Sequence, residues 1–352
     1  MNLTSLQDSF DTLMDTTYAA DKPGAALHIS VGGDVLYERG FGLADLAGGK
    51  KITSVTNFRM ASVSKQFTAM GISQLEQQGQ LSYEDSLLKF FPEFALIAAN
   101  ITLRHLLTHT SGLFDYENFI EETSEKQVTD EEILQLIAPL TETYFTPGAK
   151  YRYSNTGFVL LALVVERVSG LPYATFLQEN IFLPLHMHAS TLYKSSKQML
   201  NRAMGYAREA TEDYLFSDQS TCTATMGDGC VYTSLQDYQK WHQALTTPGP
   251  FHILPVLDNV SHPIETNNNW FYGMGWFCSK RADGSTEMYH SGNTSGFSNL
   301  VIRIPEKDVL IAYFSNIADN THLFSEFLDV LQQFPVLRLE SELVRRLPQL
   351  TC

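Results

Sequence analysis

The sequence predicts an α+β, multi-domain fold, in which a mainly antiparallel sheet flanked by helices carries an inserted all-helical region. Three observations predict it. Runs rich in β-formers occupy about residues 25–45 and return after about residue 225, as WFYGMGWFC, TEMYHSG, FSNLVIRI and DVLIAYFSN, while the stretch between reads as helices and turns. The order is then helix, strands, helices, strands, helix, which suits a sheet built from both chain ends. The length, 352 residues, corresponds to about two domains or one large one. The sheet region is expected over 1–75 and 225–352, and the helical region over 76–224.

Each element has its own signal. Leu3, Leu6, Phe10 and Leu13 recur three or four apart, which predicts an amphipathic helix over 3–20, ended by Pro23-Gly24. The Gly32-Gly33-Asp34 turn lies between two β-rich runs and predicts a hairpin. LAGGKKI (46–52) is a polar turn that lacks the spacing of a phosphate loop. Val63, Phe67, Met70 and Leu75 predict a helix over 61–78, stopped by Gly79. Further helices are expected over 102–107 behind a Thr102 cap, and over 129–138 behind a Thr129-x-x-Glu132 capping box. Another follows Asn155, which reads as its cap, over 156–168; it is apolar nearly all round and so should be buried. Pro305-Glu306-Lys307-Asp308 turns FSNLVIRI back onto DVLIAYFSN as an antiparallel hairpin, and 320–334 return to helix.

Composition narrows the function. Basic residues number 24 and acidic ones 39, a formal net charge of −15. Such a chain repels phosphate backbones and anionic membrane surfaces, so no nucleic-acid partner is expected. No run of 18 apolar residues occurs, so no membrane span is expected. The N-terminus lacks the basic and apolar segments of a signal peptide, which points to a cytoplasmic protein, or to a periplasmic or secreted one if a leader has been removed. Cys222, Cys230, Cys278 and Cys352 form no CxxC pair and are expected as free thiols, although sequence leaves a Cys222–Cys230 bridge open. No metal and no cofactor are expected. His186-Met187-His188 lacks further ligands, and His105-x-x-x-His109 lacks the glutamate of H-E-x-x-H. No G-x-S-x-G elbow and no strand-linked G-x-G-x-x-G occurs.

Three short motifs could carry chemistry. In Ser62-Val63-Ser64-Lys65, at the start of the 61–78 helix, Ser62 and Lys65 stand three apart and share a face, whereas Ser64 projects elsewhere. A serine hydroxyl needs a base, and a lysine serves once its pKa is lowered. In Tyr153-Ser154-Asn155, an extended chain points the phenol and the amide the same way. In His290-Ser291-Gly292-Asn293, at a strand end, the glycine admits a close backbone neighbour and an edge strand can offer N–H and C=O groups to an extended substrate.

The order S-x-x-K, Y-S-N, H-S-G resembles the serine β-lactamase and penicillin-binding-protein family, in the branch of class C β-lactamases, DD-peptidases, D-aminopeptidases and related esterases. FRMASVSKQF, ITLRHLLTHTSGL, FTPGAKYRYSNTGF, GDGCVYTSLQDYQKW and YGMGWF extend the likeness over roughly residues 20–320. The resemblance implies a β-lactamase/transpeptidase-like fold. It implies Ser62 as acylated nucleophile, Lys65 as its activator and Tyr153 as second proton shuttle, without deciding which of Lys65 and Tyr153 is the main base. It implies Asn155, His290, Ser291 and Gly292 as substrate-binding residues, and the backbone N–H groups of Ser62 and Asn293 as oxyanion hole.

The chain departs from class C β-lactamases at His290, where they carry the lysine of K-T-G. A histidine is at most partly charged near neutrality and is a poorer partner for a penicillin carboxylate. Cys230 replaces the small residue usual after G-D-G. The expected function is therefore that of a serine hydrolase acting through an acyl-enzyme on a small amide, D-amino-acid peptide or ester. The alternatives are a β-lactamase proper and a slowly deacylating penicillin-binding or sensor module. The oligomeric state is not legible.

Overall fold

The computed structural model describes residues 3–121, 126–193, 199–209 and 213–351. Among these, eight strands form one antiparallel sheet: β1 (Ala25–Val31), β2 (Asp34–Phe41), β3 (His262–Pro263), β4 (Trp270–Gly273), β5 (Trp276–Lys280), β6 (Thr286–Thr294), β7 (Phe297–Ile304) and β8 (Val309–Ser315). They lie side by side in the order β3-β4-β5-β6-β7-β8-β1-β2. Both chain ends build it: β1 pairs with β8, with Ala25 opposite Ser315 and Val31 opposite Val309. Gly32 and Gly33 take the left-handed φ values, 61° and 84°, that close the β1–β2 hairpin. The Pro305–Lys307 turn closes the β7–β8 hairpin.

β7 and β8 are buried along their whole length, so they read as continuous apolar runs instead of alternating ones. Helices cover both faces. Tyr313 of β8 meets Phe327, which packs on Phe10, so the Leu3–Thr17 and Leu323–Gln332 helices cover one face. The next residue, Phe314, meets Tyr238 of the Leu235–Thr246 helix on the other. The helical region is inserted between β2 and β3. Its apolar Asn155–Ser169 helix is buried against Lys65–Gln77, where Gly71 leaves room for Phe176 and Val165. No single described helix is long and apolar enough to cross a membrane.

Several expectations need amendment. The 61–78 helix is a 3-10 turn, Ala61–Ser64, running into an α-helix, Lys65–Gln77, and Gly79 follows it at φ 70°. The Thr129–Glu132 capping box is present, and Thr102 forms a second one with the His105 ring. Asn155 is not a cap: Ser154 occupies that position, and Asn155, the first helical residue, turns its side chain away to other partners. The middle region also holds a small hairpin, Tyr206–Arg208 with Tyr214–Phe216. The Leu235–Thr246 helix is not among the expected elements, although its Ser234 cap accepting from Asp237 is a readable start signal. The Leu343–Leu350 helix, with Pro348 inside it, has no comparable signal.

Candidate active site

The site grows from a close approach between β6 and the Ala61–Ser64 turn. A Cβ on Gly292 would stand 2.2 Å from the Met60 carbonyl oxygen and 3.2 Å from the Ser62 nitrogen, so only glycine lets this turn lie on the strand. Asn299 of β7 ties the two together, donating from Nδ2 to the Arg59 carbonyl at 2.9 Å. Ala61 sits at φ 48°, a strained conformation immediately before Ser62. Ser64 points away, its Oγ accepting the Val231 N–H.

Lys65 is fully buried. Its Nζ lies 2.9 Å from Ser62 Oγ, 2.7 Å from Asn155 Oδ1 and 3.0 Å from the Asp228 carbonyl oxygen. Burial lowers its pKa to about 8, against the opposing pull of Asp228, Glu117 and Asp115. Asn155 is held on its other sides by two acids: its backbone N–H donates to Asp115 Oδ2 at 2.6 Å and its Nδ2 to Glu117 Oε1 at 3.1 Å. Glu117 is exposed at the cleft wall, with its carboxyl turned to Asn155. Partial desolvation of that carboxyl, then the neighbouring Asp115 and Asp228 carboxyls, raise it to about 7.

Tyr153 stands beside this pair, with Lys65 Nζ 4.9 Å from its ring centroid. Its buried hydroxyl makes no hydrogen bond among the described residues; Ser62 is near enough to counter the upward shift but not aligned to bond. Burial carries the phenol well above 10. His109 braces it. The His109 carbonyl accepts the Arg152 N–H at 2.8 Å, its Nδ1 accepts the Ser154 N–H at 3.2 Å, and its ring lies 4.2 Å from that of Tyr153.

The third motif is placed differently from the expectation. β6 is an interior strand, flanked by β5 and β7, but its pairing with β5 ends at Tyr289, so 290–294 run on past it as a local edge. Asn293 reaches the cleft wall from there, with Ser62 and Asn155. His290, Ser291 and Gly292 are buried. His290 Nδ1 lies 2.6 Å from the Ser291 carbonyl and must donate to it, so Nε2 is left to accept from the Tyr272 hydroxyl at 3.3 Å. Desolvation, and then Lys65, lower its pKa to about 3. His290 is therefore a neutral and fully buried residue.

Other residues reach the cleft that sequence reading did not select: Arg59, Glu117, Cys222 and Asp228. Arg59 and Asp228 sit in quoted motifs, FRMASVSK and GDG, and Glu117 follows HTSGL by four residues, so motif adjacency was the available signal. The cysteine near the cleft is Cys222, whereas Cys230 is buried with Sγ 3.1 Å from the Met226 carbonyl. Cys222, Cys230 and Cys278 are free thiols, and Cys352 lies outside the described residues. Among the described residues, no three His, Cys, Asp or Glu side chains are grouped to hold a metal ion.

Residues 6–329 match the family described as Beta-lactamase. The chain is 32% identical to "Penicillin-binding protein 4*" of Bacillus subtilis (strain 168), over 88% of this chain and 72% of that protein. It is 26% identical to "Protein flp" of Staphylococcus aureus (strain MRSA252), over 88% of this chain, and spans 63% of that protein's length. Its fold is similar to that of the octameric penicillin-binding protein homologue from Pyrococcus abyssi, with TM-score 0.79 and 24% identity over 98% of this chain and 80% of that one. It is also similar to D-amino acid amidase from Ochrobactrum anthropi SV3 complexed with L-phenylalanine amide, with TM-score 0.76 and 23% identity over 93% and 99% of the two chains.

Proposed function

Given that this chain belongs to the β-lactamase family, we propose that it is a serine hydrolase that forms an acyl-enzyme on Ser62 from a small amide, D-amino-acid peptide or ester. The observation that carries this reading is the buried lysine within hydrogen-bond reach of that serine, with a pKa of about 8. At pH 7 about a tenth of such a lysine is neutral, enough to act as base. The phenol of Tyr153, held well above 10, ionises far less readily, so Lys65 is the base and Tyr153 the acid.

The steps follow from those assignments. Lys65 takes the Ser62 hydroxyl proton while Oγ attacks the substrate carbonyl carbon and its electron pair moves onto oxygen. The N–H groups of Ser62 and Asn293 hold that oxyanion. The intermediate collapses and expels an amine or alkoxide, which takes a proton from Tyr153, whose hydroxyl has no competing partner among the described residues. Tyr153 regains its proton from Lys65. Water then attacks the ester by the same route and releases the acid and Ser62.

Charge supports amides and esters over penicillins. The cleft wall carries Glu117 and Asp228. Its arginine, Arg59, is committed to the carbonyls of Gly229 and Thr223, and His290 is neutral and buried. A substrate carboxylate would meet acids here, whereas a neutral or amine-bearing substrate would not be repelled.

Intact mass after mixing with a β-lactam and, separately, with an activated ester tests the proposal, with Ser62→Ala in parallel. The expected result is ester turnover and a long-lived β-lactam adduct, both lost in the variant. Rapid β-lactam clearance would favour a β-lactamase proper, and chemistry surviving in Ser62→Ala would refute the serine assignment. The ester kcat/KM should also rise with pH, because the neutral lysine is the active form. The rise should centre near pH 8 and level off about one unit above it. A flat profile between pH 6 and 9.5 would contradict Lys65 as base.

A further inference from the structure

The neutral form of Lys65 has two N–H donors and one lone pair, set among three neighbours. The Asn155 amide oxygen and the Asp228 carbonyl can only accept, so they take the two N–H groups and leave the lone pair to Ser62 Oγ. This holds only while Asn155 presents oxygen to the lysine. When Lys65 is an ammonium it enforces that orientation itself. When it is neutral it can accept as well as donate, and a turned amide would send Nδ2–H into the lone pair and consume the base.

We propose that Glu117 is the positioning residue that prevents this, holding the Asn155 amide with its oxygen towards Lys65 during the reaction inferred above. Glu117 Oε1 lies 3.1 Å from Asn155 Nδ2. With a pKa of about 7, the Glu117 carboxyl is mostly ionised by the pH at which Lys65, at about 8, becomes neutral; it can then only accept, so a turned amide would set oxygen against oxygen. Asp115 holds only the backbone N–H of Asn155 and leaves its side chain free to turn. The groups facing Glu117 are Asp115 on its own loop, Asp228 on the 227–229 turn, Lys65 on the serine helix, and the Tyr116 and Cys222 side chains beside it. Glu117 also acts through charge: with Asp228 and Asp115 it holds Lys65 higher than burial alone would.

The test is steady-state turnover of p-nitrophenyl acetate from pH 6 to 9.5 by wild type, Glu117→Ala and Glu117→Gln. Labelling of Ser62 by a fluorophosphonate, read by intact mass, runs alongside, with Ser62→Ala as control. This ester is too small to depend on the outer cleft wall. Glu117→Ala should lower kcat on its alkaline plateau, where Lys65 is neutral in both proteins, about tenfold, the scale of one lost charge-assisted hydrogen bond, with KM within about twofold. Glu117→Gln can still accept from Asn155 and should come within about threefold of wild type. Both variants remove a negative neighbour of Lys65, so the rising limb should move to lower pH in both. A wild-type kcat in Glu117→Ala, or a limb unmoved in both variants, would overturn the proposal. Labelling and turnover that survive Ser62→Ala would instead overturn the serine-hydrolase reading itself.

Discussion

Lys65→Met should lower kcat/KM for an activated ester by about 10³-fold, within the range usual for removing a general base, and should abolish the rise near pH 8. Methionine matches the lysine in length and has no lone pair basic enough to take the serine proton. The fold should survive, because the lysine is fully buried and a neutral side chain there avoids the desolvation of a cation. The Asn155 and Asp228 oxygens lose a donor each, which costs about 1–3 kcal/mol apiece where no water replaces it, and some loss of thermal stability follows. Lys65→Arg separates charge from basicity, since a guanidinium keeps the cation but stays protonated. It should be as inactive as Lys65→Met. Ester kinetics across pH, with thermal unfolding of each variant, check both statements; activity in either variant within tenfold of wild type would contradict them.

Gly292→Ala should lose both activity and stability, although the added group is one methyl. The new Cβ meets backbone, the Met60 carbonyl at 2.2 Å and the Ser62 nitrogen at 3.2 Å, with no flexible side-chain end to move aside. The strand itself is fixed, since Gly292 pairs with Asn299 of β7 and Asn299 is bonded to the Arg59 carbonyl. The serine turn must therefore shift. Overpacking of this kind costs about 1–3 kcal/mol, and a displacement near 1 Å at a reacting group costs about 100-fold in rate. Denaturant unfolding and ester turnover measure the two effects. A variant with unchanged turnover would mean that the serine turn tolerates displacement from β6.

Much of this was legible in the sequence because the signals are local. The Gly32-Gly33 turn, the Thr129–Glu132 capping box and the Pro305–Asp308 turn each fix an element from a few neighbouring residues, and the structure has all three. The S-x-x-K spacing likewise sets Ser62 and Lys65 side by side through helical geometry alone. What escaped depends on tertiary contacts. His290 reads as a strand-end histidine, but Tyr272, Phe277 and Tyr153 close over it. Asn155 reads as a cap, yet Lys65 and Glu117, 90 and 38 positions away, claim its side chain. The Leu343–Leu350 helix carries a proline and gains its place by packing on β6 and β5.

The pairing of β1 with β8 has a consequence for biogenesis. Ala25 must wait for Ser315, 315 − 25 = 290 residues later, before its strand gains that neighbour. At about 5–20 residues per second, synthesis of that interval takes roughly 15–60 s. Throughout, the nascent β1–β2 hairpin presents an unpaired apolar edge of the kind that invites aggregation. The nucleophile and its lysine emerge well before β6 and cannot be braced by it until Thr286–Thr294 is made. Contacts of such high sequence separation make sheet closure slow, and a chain truncated before β8 would hold a nearly complete helical region beside an uncapped sheet. Catalytic competence is thus coupled to the synthesis of β6, which follows the serine turn by 286 − 64 = 222 residues.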